Sequence, residues 1–109
     1  MAPLIGRIWE GSTRDTDADR YLEYLRGSGL AEYARTEGNR GVLAFRSTGA
    51  ERADFLLLTL WDSEEAIRRF AGEPLERARF YPDDDAFLIR RQPTARHLAL
   101  VHHSGLRLG

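Results

Sequence analysis

Few side chains in this sequence can do acid–base or ligand chemistry, and their spacing narrows the field. All three histidines, His97, His102 and His103, fall near the C-terminal end. On a strand His102 and His103 point to opposite faces, while His97 and His103 share a face but sit too far apart to chelate one ion, so no metal site is expected. His97 alone reads either as an acid or base, because an unperturbed imidazole titrates near neutrality, or as a polar residue at a strand start or dimer rim. Asp83-Asp84-Asp85 offers hard-cation ligands, but consecutive carboxylates diverge in direction, and the run reads as a solvated turn. The absence of cysteine removes thiolate nucleophiles, disulfides and cysteine-based metal centres. No P-loop and no GxSxG elbow occur, and Gly27-Ser28-Gly29 lacks the later glycine of a dinucleotide fingerprint.

The aromatic residues carry more information. Trp9, Phe45, Phe55, Trp61, Phe70, Phe80, Tyr81 and Phe87 fall on predicted strands or on the second helical region. A sheet with helices on one face leaves a slot between the layers, and aromatic walls with a few polar groups suit a flat organic ligand. Asn39, Arg40, Arg79, Tyr81 and Arg90 are able to supply the polar contacts. The alternative for these is solvation at the surface, and for each aromatic ring plain core packing.

The elements that must position these residues follow from periodicity. Residues 4–10, rich in β-formers and closed by Gly11-Ser12-Thr13, predict a strand. Ala18, Tyr21, Leu22 and Leu25 repeat at helical spacing, and Gly27-Ser28-Gly29 breaks that helix before residues 30–35 resume it. Residues 42–46 and 54–61 form a hairpin around a loop at 47–53. Asp62, with Glu65 three residues on, starts a helix that buries Ala66, Ile67, Phe70 and Ala71 and ends at Gly72. Pro74, Leu75 and Ala78 predict a second short helix reaching Tyr81-Pro82, and residues 86–91 a strand. Beyond Pro93, residues 97–102 read as its continuation or as a fifth strand. The order β-α-β-β-α-(α)-β-(β) is an α+β, ferredoxin-like split βαβ arrangement with an antiparallel sheet.

The chain of 109 residues makes one domain, with a core at about 4–101 and a tail at 102–109. Folding should reduce a surface of roughly 18,000 Å² to roughly 6,000 Å², enough for a core without staples. A formal charge of −1 removes the electrostatic case for nucleic-acid binding. The lack of a long apolar run, with charge early in MAPLIGRIWEGS, predicts a cytoplasmic protein without membrane association. One strand departs from simple alternation, since Phe55 to Leu60 is apolar at all positions but Thr59. Both faces of the sheet therefore need cover, and the helices reach only one. A second copy, sheet against sheet, is the expected partner.

The stretch Phe55-Leu56-Leu57-Leu58-Thr59-Leu60-Trp61-Asp62-Ser63-Glu64-Glu65-Ala66-Ile67-Arg68-Arg69-Phe70-Ala71-Gly72, with Gly38-Asn39-Arg40-Gly41 before it and Ala78-Arg79-Phe80-Tyr81-Pro82-Asp83-Asp84 after it, resembles the antibiotic biosynthesis monooxygenase family. The resemblance covers most of residues 4–101, and its strand-Trp-Asp-Ser helix start is specific for fold rather than activity. It implies a homodimeric α/β barrel of ferredoxin-like protomers, each with its own pocket. Polyketide-tailoring members oxygenate an anthrone or similar phenol with O₂, without metal, flavin or haem. On that pattern Trp61, His97, Asn39, Tyr81 and Arg79 are the catalytic candidates, with Trp9, Phe45, Phe70, Phe80 and Arg90 around the substrate. The expected activity is cofactor-independent oxidation of a small aromatic or quinone-type substrate; the alternative is a non-catalytic small-molecule binding or stress-related barrel. A haem-degrading branch carries a Trp in the helix after the third strand and a ligating His in the next segment. This chain has Phe70 and Arg79-Phe80-Tyr81 there, and no histidine before His97.

Overall fold

The structure, a computed structural model, describes residues 2–109. Its central strand is β1 (Ile5–Arg14), which pairs antiparallel with β3 (Arg52–Trp61) along its whole length. On the other edge β1 pairs first with β5 (Arg96–Ala99) and then with β4 (Leu88–Arg91). The strand is longer than predicted. Gly11-Ser12-Thr13, expected to turn, continue it because both flanks find ladder partners, so their backbone groups are satisfied as strand. β2 (Asn39–Thr48) adds to the far side of β3, giving the order β2-β3-β1-β4 with β5 beside β4 on β1. This is the ferredoxin-like α+β order, and within one chain the sheet stays open.

Helices α1 (Ala18–Gly27) and α2 (Gly29–Arg35) join β1 to β2, broken as predicted at Ser28, whose hydroxyl donates to the Tyr24 carbonyl at 2.8 Å. Helix α3 (Glu64–Ala71) is capped by Ser63, whose Oγ accepts from the Ala66 N–H at 3.2 Å. Asp62, the expected cap, instead holds Arg40 at 2.9 Å. The second short helix expected at 74–81 does not form. Residues 72–83 run as an irregular strap, because their backbone groups find tertiary partners in place of helical ones. Ala78 N–H donates to the Pro93 carbonyl (3.0 Å), and the Glu76 carbonyl accepts from Ala95 N–H (2.7 Å). A single helical turn, α4 (Asp84–Phe87), occupies the place where the next strand was expected to begin. Strand β5 ends at Ala99, so His102 and His103 lie beyond the sheet and are exposed, and the face argument made for them does not apply.

Strand parity divides the molecule. Ala53, Phe55, Leu57, Thr59 and Trp61 are buried against the helices, as are Arg7 and Trp9 from β1. Tyr33 stacks on Phe70 with ring centroids 4.3 Å apart, and Trp61 joins the cluster at 6.3 and 6.0 Å from those two rings. Ile8, Leu43, Leu56, Leu58 and Leu60 are half-buried on the opposite face, where Phe45 is 52 % and Leu98 50 % exposed. The accessible surface is 6952 Å², against about 6,100 Å² for a compact monomer of this mass. The excess comes from this bare face and from the extended, exposed residues 101–109.

Candidate active site

Between the sheet and the helices lies a narrow cleft with three walls. The sheet contributes Arg7, Trp9 and Leu57; the helices contribute Tyr21, Leu25, Gly29 and Tyr33; the strap and α4 contribute Ala78, Arg79, Phe80, Tyr81 and Asp84. Its unoccupied interior is about 20 Å³, room for one water molecule. The strap therefore closes it, and a larger ligand enters only if residues 72–83 move outward. Gly29 lies beside the Tyr81 ring, which a methyl group there would reach at 3.6 Å, an ordinary packing contact.

The central side chain is one that residue-type reasoning passed over. Arg7 lies on β1 in the same inward file as Ile5 and Trp9, and is 2 % exposed. Its Nη1 donates to the Leu75 carbonyl (2.6 Å) and to His97 Nε2 (2.8 Å), and its Nη2 to the Arg77 carbonyl (3.0 Å). Because a guanidinium only donates, His97 is held neutral with its proton on Nδ1. Burial, then the adjacent Arg7 charge, hold the His97 pKa below its ordinary value. Burial lowers that of Arg7 as well, an effect that the Tyr33 hydroxyl facing it opposes. The inward parity of Ile5-Arg7-Trp9 was the available signal for this residue.

The phenols around Arg7 are donors rather than bases. Burial raises Tyr33, with Arg7 pulling the other way, and burial raises Tyr21 with help from Asp84. Burial pushes Tyr81 up to about 12, opposed by Arg79, and its hydroxyl has no partner. Arg79 lies at the mouth, 5.2 Å from the ring centres of both Phe70 and Tyr81, and donates to the Phe70 carbonyl at 3.1 Å. Asp84 corrects the reading of the acidic run as a solvated turn: Asp83 and Asp85 are exposed, but Asp84 is 4 % exposed and accepts from the Tyr81 N–H at 2.6 Å. Burial raises its carboxyl pKa.

Of the residues singled out by type, Trp9, Arg79, Phe80 and Tyr81 line the cleft. Phe80 meets Trp9 edge-on at 6.1 Å. Phe70 and His97 lie one layer behind, touching Arg7. Trp61 is a further layer back, fully buried, its indole N–H given to Thr59 Oγ1 at 2.8 Å. Asn39 pairs with Trp61 across β2 and β3, away from the lining; its Oδ1 accepts from Gly41 N–H (3.2 Å) and its buried Nδ2 has no partner. Phe45 and Arg90 lie on the opposite face, because Phe45 pairs with Leu56 and Arg90 with Ser12, both of outward parity. Neither belongs to the cleft. Among the described residues no group of three or more His, Asp or Glu side chains is placed to hold a metal ion.

No family model and no curated protein matches this chain by sequence. Solved structures do match by fold. A candidate antibiotic biosynthesis monooxygenase from Bacillus cereus aligns with a TM-score of 0.66 and 11 % identity, over 95 % of this chain and 99 % of that one. SnoaB, a cofactor-independent oxygenase from Streptomyces nogalater, aligns at 0.52 and 15 % identity, over 96 % and 98 %. The haem degrader MhuD from Mycobacterium tuberculosis, solved with two haems in its active site, aligns at 0.56 and 18 % identity, over 93 % and 99 %. Over nearly its whole length, the chain has the fold of antibiotic biosynthesis monooxygenase structures.

Proposed function

We propose that this protein is a monooxygenase-like enzyme that oxidises a small aromatic or quinone-type substrate with O₂ and needs no cofactor. The observation that carries this reading is the water-poor cleft walled by Trp9, Phe80 and three tyrosines around the buried Arg7. Oxygenation without a cofactor requires a substrate anion able to give one electron to O₂. The protein's tasks are then to accept a proton, to stabilise the anion and to exclude water. Arg7, Arg79 and the Tyr81 hydroxyl supply the stabilisation, and the buried Asp84 carboxylate is the proton acceptor within the lining. For an anthrone, one oxygen atom becomes the new carbonyl oxygen of the anthraquinone and the other leaves as water, its two hydrogens coming from the oxidised carbon. The fold shared with SnoaB supports this reading. The test is O₂ uptake with anthrone. Uptake proportional to protein, one O₂ per anthraquinone formed, is the expected result. Binding with no uptake above the uncatalysed rate would leave a small-molecule binding protein.

The protein is further proposed to work in the cytoplasm as a homodimer joined through the bare sheet face. No helix among the described residues is long and apolar enough to cross a membrane. A second copy would cover Leu56, Leu58, Leu60 and Phe45, the apolar side chains of the bare face. Sedimentation equilibrium should give twice 12.4 kDa for the native chain, and the monomer mass for Leu58→Arg. A monomeric native chain overturns the dimer.

A further inference from the structure

The charge of the cleft is unbalanced, and the imbalance identifies a class of ligand. Arg7 is 2 % exposed, yet among the described residues no carboxylate lies within ion-pair distance of it. Its partners are neutral: two strap carbonyls, the His97 ring and the facing Tyr33 hydroxyl. Glu76 acts on it only at longer range, as the smallest of the influences. The Arg7 Nε–H has no acceptor at all. A guanidinium taken out of water without a countercharge is an unfavourable arrangement that an arriving anion relieves. The other free groups point the same way. The Tyr81 hydroxyl is buried without a partner and stays protonated, and Arg79 brings a second cation to the mouth. Asp84, the carboxylate of the lining, is engaged by the Tyr81 N–H and is drawn toward the charge of Arg91.

We propose that the cleft is an anion site, in which Arg7 receives the oxyanion of a planar aromatic acid, a carboxylate or an ionised phenol or enol, while Arg79 and Tyr81 close over it. The strap supplies the exchange. Admitting a ring requires residues 72–83 to move outward, which removes the Leu75 and Arg77 carbonyls from Arg7. An oxyanion replaces these neutral acceptors with one that also supplies the missing countercharge. A neutral ring offers no such replacement. The aromatic walls then stack the ring, and Trp9 places a reporter fluorophore against it. This inference rests on the cleft being the ligand site, as proposed above, and does not depend on oxygen chemistry.

The test uses 2-naphthoate and its neutral isostere 2-naphthamide, titrated calorimetrically into the full chain at pH 7. Naphthoate is expected to bind at least tenfold tighter. Arg79→Met, a change at an exposed side chain, should weaken naphthoate three- to tenfold more than it weakens naphthamide. Arg7→Met should abolish the preference, and Arg7→Lys should restore part of it. Equal affinity for the two probes, no binding of either, or a preference that survives Arg79→Met and a folded Arg7→Met, overturns the anion site. If Arg7→Met does not fold, Arg79→Met and Tyr81→Phe decide. Naphthoate preference without O₂ uptake from anthrone upholds the anion site and removes the oxygenase reading; uptake with no preference does the reverse.

Discussion

Replacing Trp61 by phenylalanine separates a structural tryptophan from a chemical one. The side chain is fully buried, its N–H is given to Thr59 Oγ1 at 2.8 Å, and its ring meets Tyr33 and Phe70 at 6.3 and 6.0 Å. It does not line the cleft. The smaller ring forfeits roughly 1 kcal/mol of apolar burial. The lost hydrogen bond to Thr59 costs roughly 1 kcal/mol. Incomplete collapse around the vacated space adds roughly 1 kcal/mol. The expected destabilisation is therefore about 3 kcal/mol, a fall in Tm on the order of 12 °C for a domain of this size. Urea unfolding followed by far-ultraviolet circular dichroism measures it, and 2-naphthoate titration reads the cleft separately. The dissociation constant should stay within twofold of the native value. A loss of stability under 1 kcal/mol would refute the packing account. A tenfold weaker Kd in a folded variant would put the indole within reach of the ligand and refute its structural assignment.

Three further outcomes are expected. His97 has a folded pKa below its ordinary value, so between the two the unfolded chain binds the extra proton; stability is full above about pH 6.5 and declines as pH falls below it, by at most about 1.4 kcal/mol per pH unit. His97→Gln, which keeps an acceptor for Arg7, should flatten that slope in urea titrations from pH 7.5 to 5.5; the raised Asp84 works in the opposite sense but is common to both proteins and cancels in their difference. Gly38→Ala should cost about 3 kcal/mol, because φ is +95° and the new methyl group would collide with the Ala66 side chain, whereas Gly27→Ala, with open space around it, should change stability by under about 1 kcal/mol. Thermal melts of the two variants decide. Ser63→Ala should cost about 1 kcal/mol through loss of the α3 cap, while Asp62→Ala, which breaks only an exposed pair with Arg40, should cost under about 0.5 kcal/mol in the same assay.

The sequence alone determined the element order up to residue 72 and the two-sided character of the sheet. Both are written in local periodicity: Ala18, Tyr21 and Leu25 repeat at helical spacing and end up buried, and the unbroken apolar run from Phe55 to Leu58 puts Phe55 and Leu57 inside and Leu56 and Leu58 on the bare face. The break at Ser28 was legible because glycines flank it. The wall residues Trp9, Phe80 and Tyr81 were legible as aromatics on elements facing a slot. Phe45 and Arg90 were misplaced because aromatic and basic character carries no parity, and only the ladder register shows which face a strand residue takes. The strap at 72–83 was illegible for a different reason. Its backbone hydrogen bonds go to Arg7, Pro93 and Ala95, partners far away in the chain or on another element, and no window of sequence contains them. Arg7 shows both limits at once. Its inward direction follows from its place between Ile5 and Trp9. That it stays buried without a countercharge was decided by the tertiary structure, which brings the strap carbonyls, His97 and Tyr33 to one guanidinium from three separate segments.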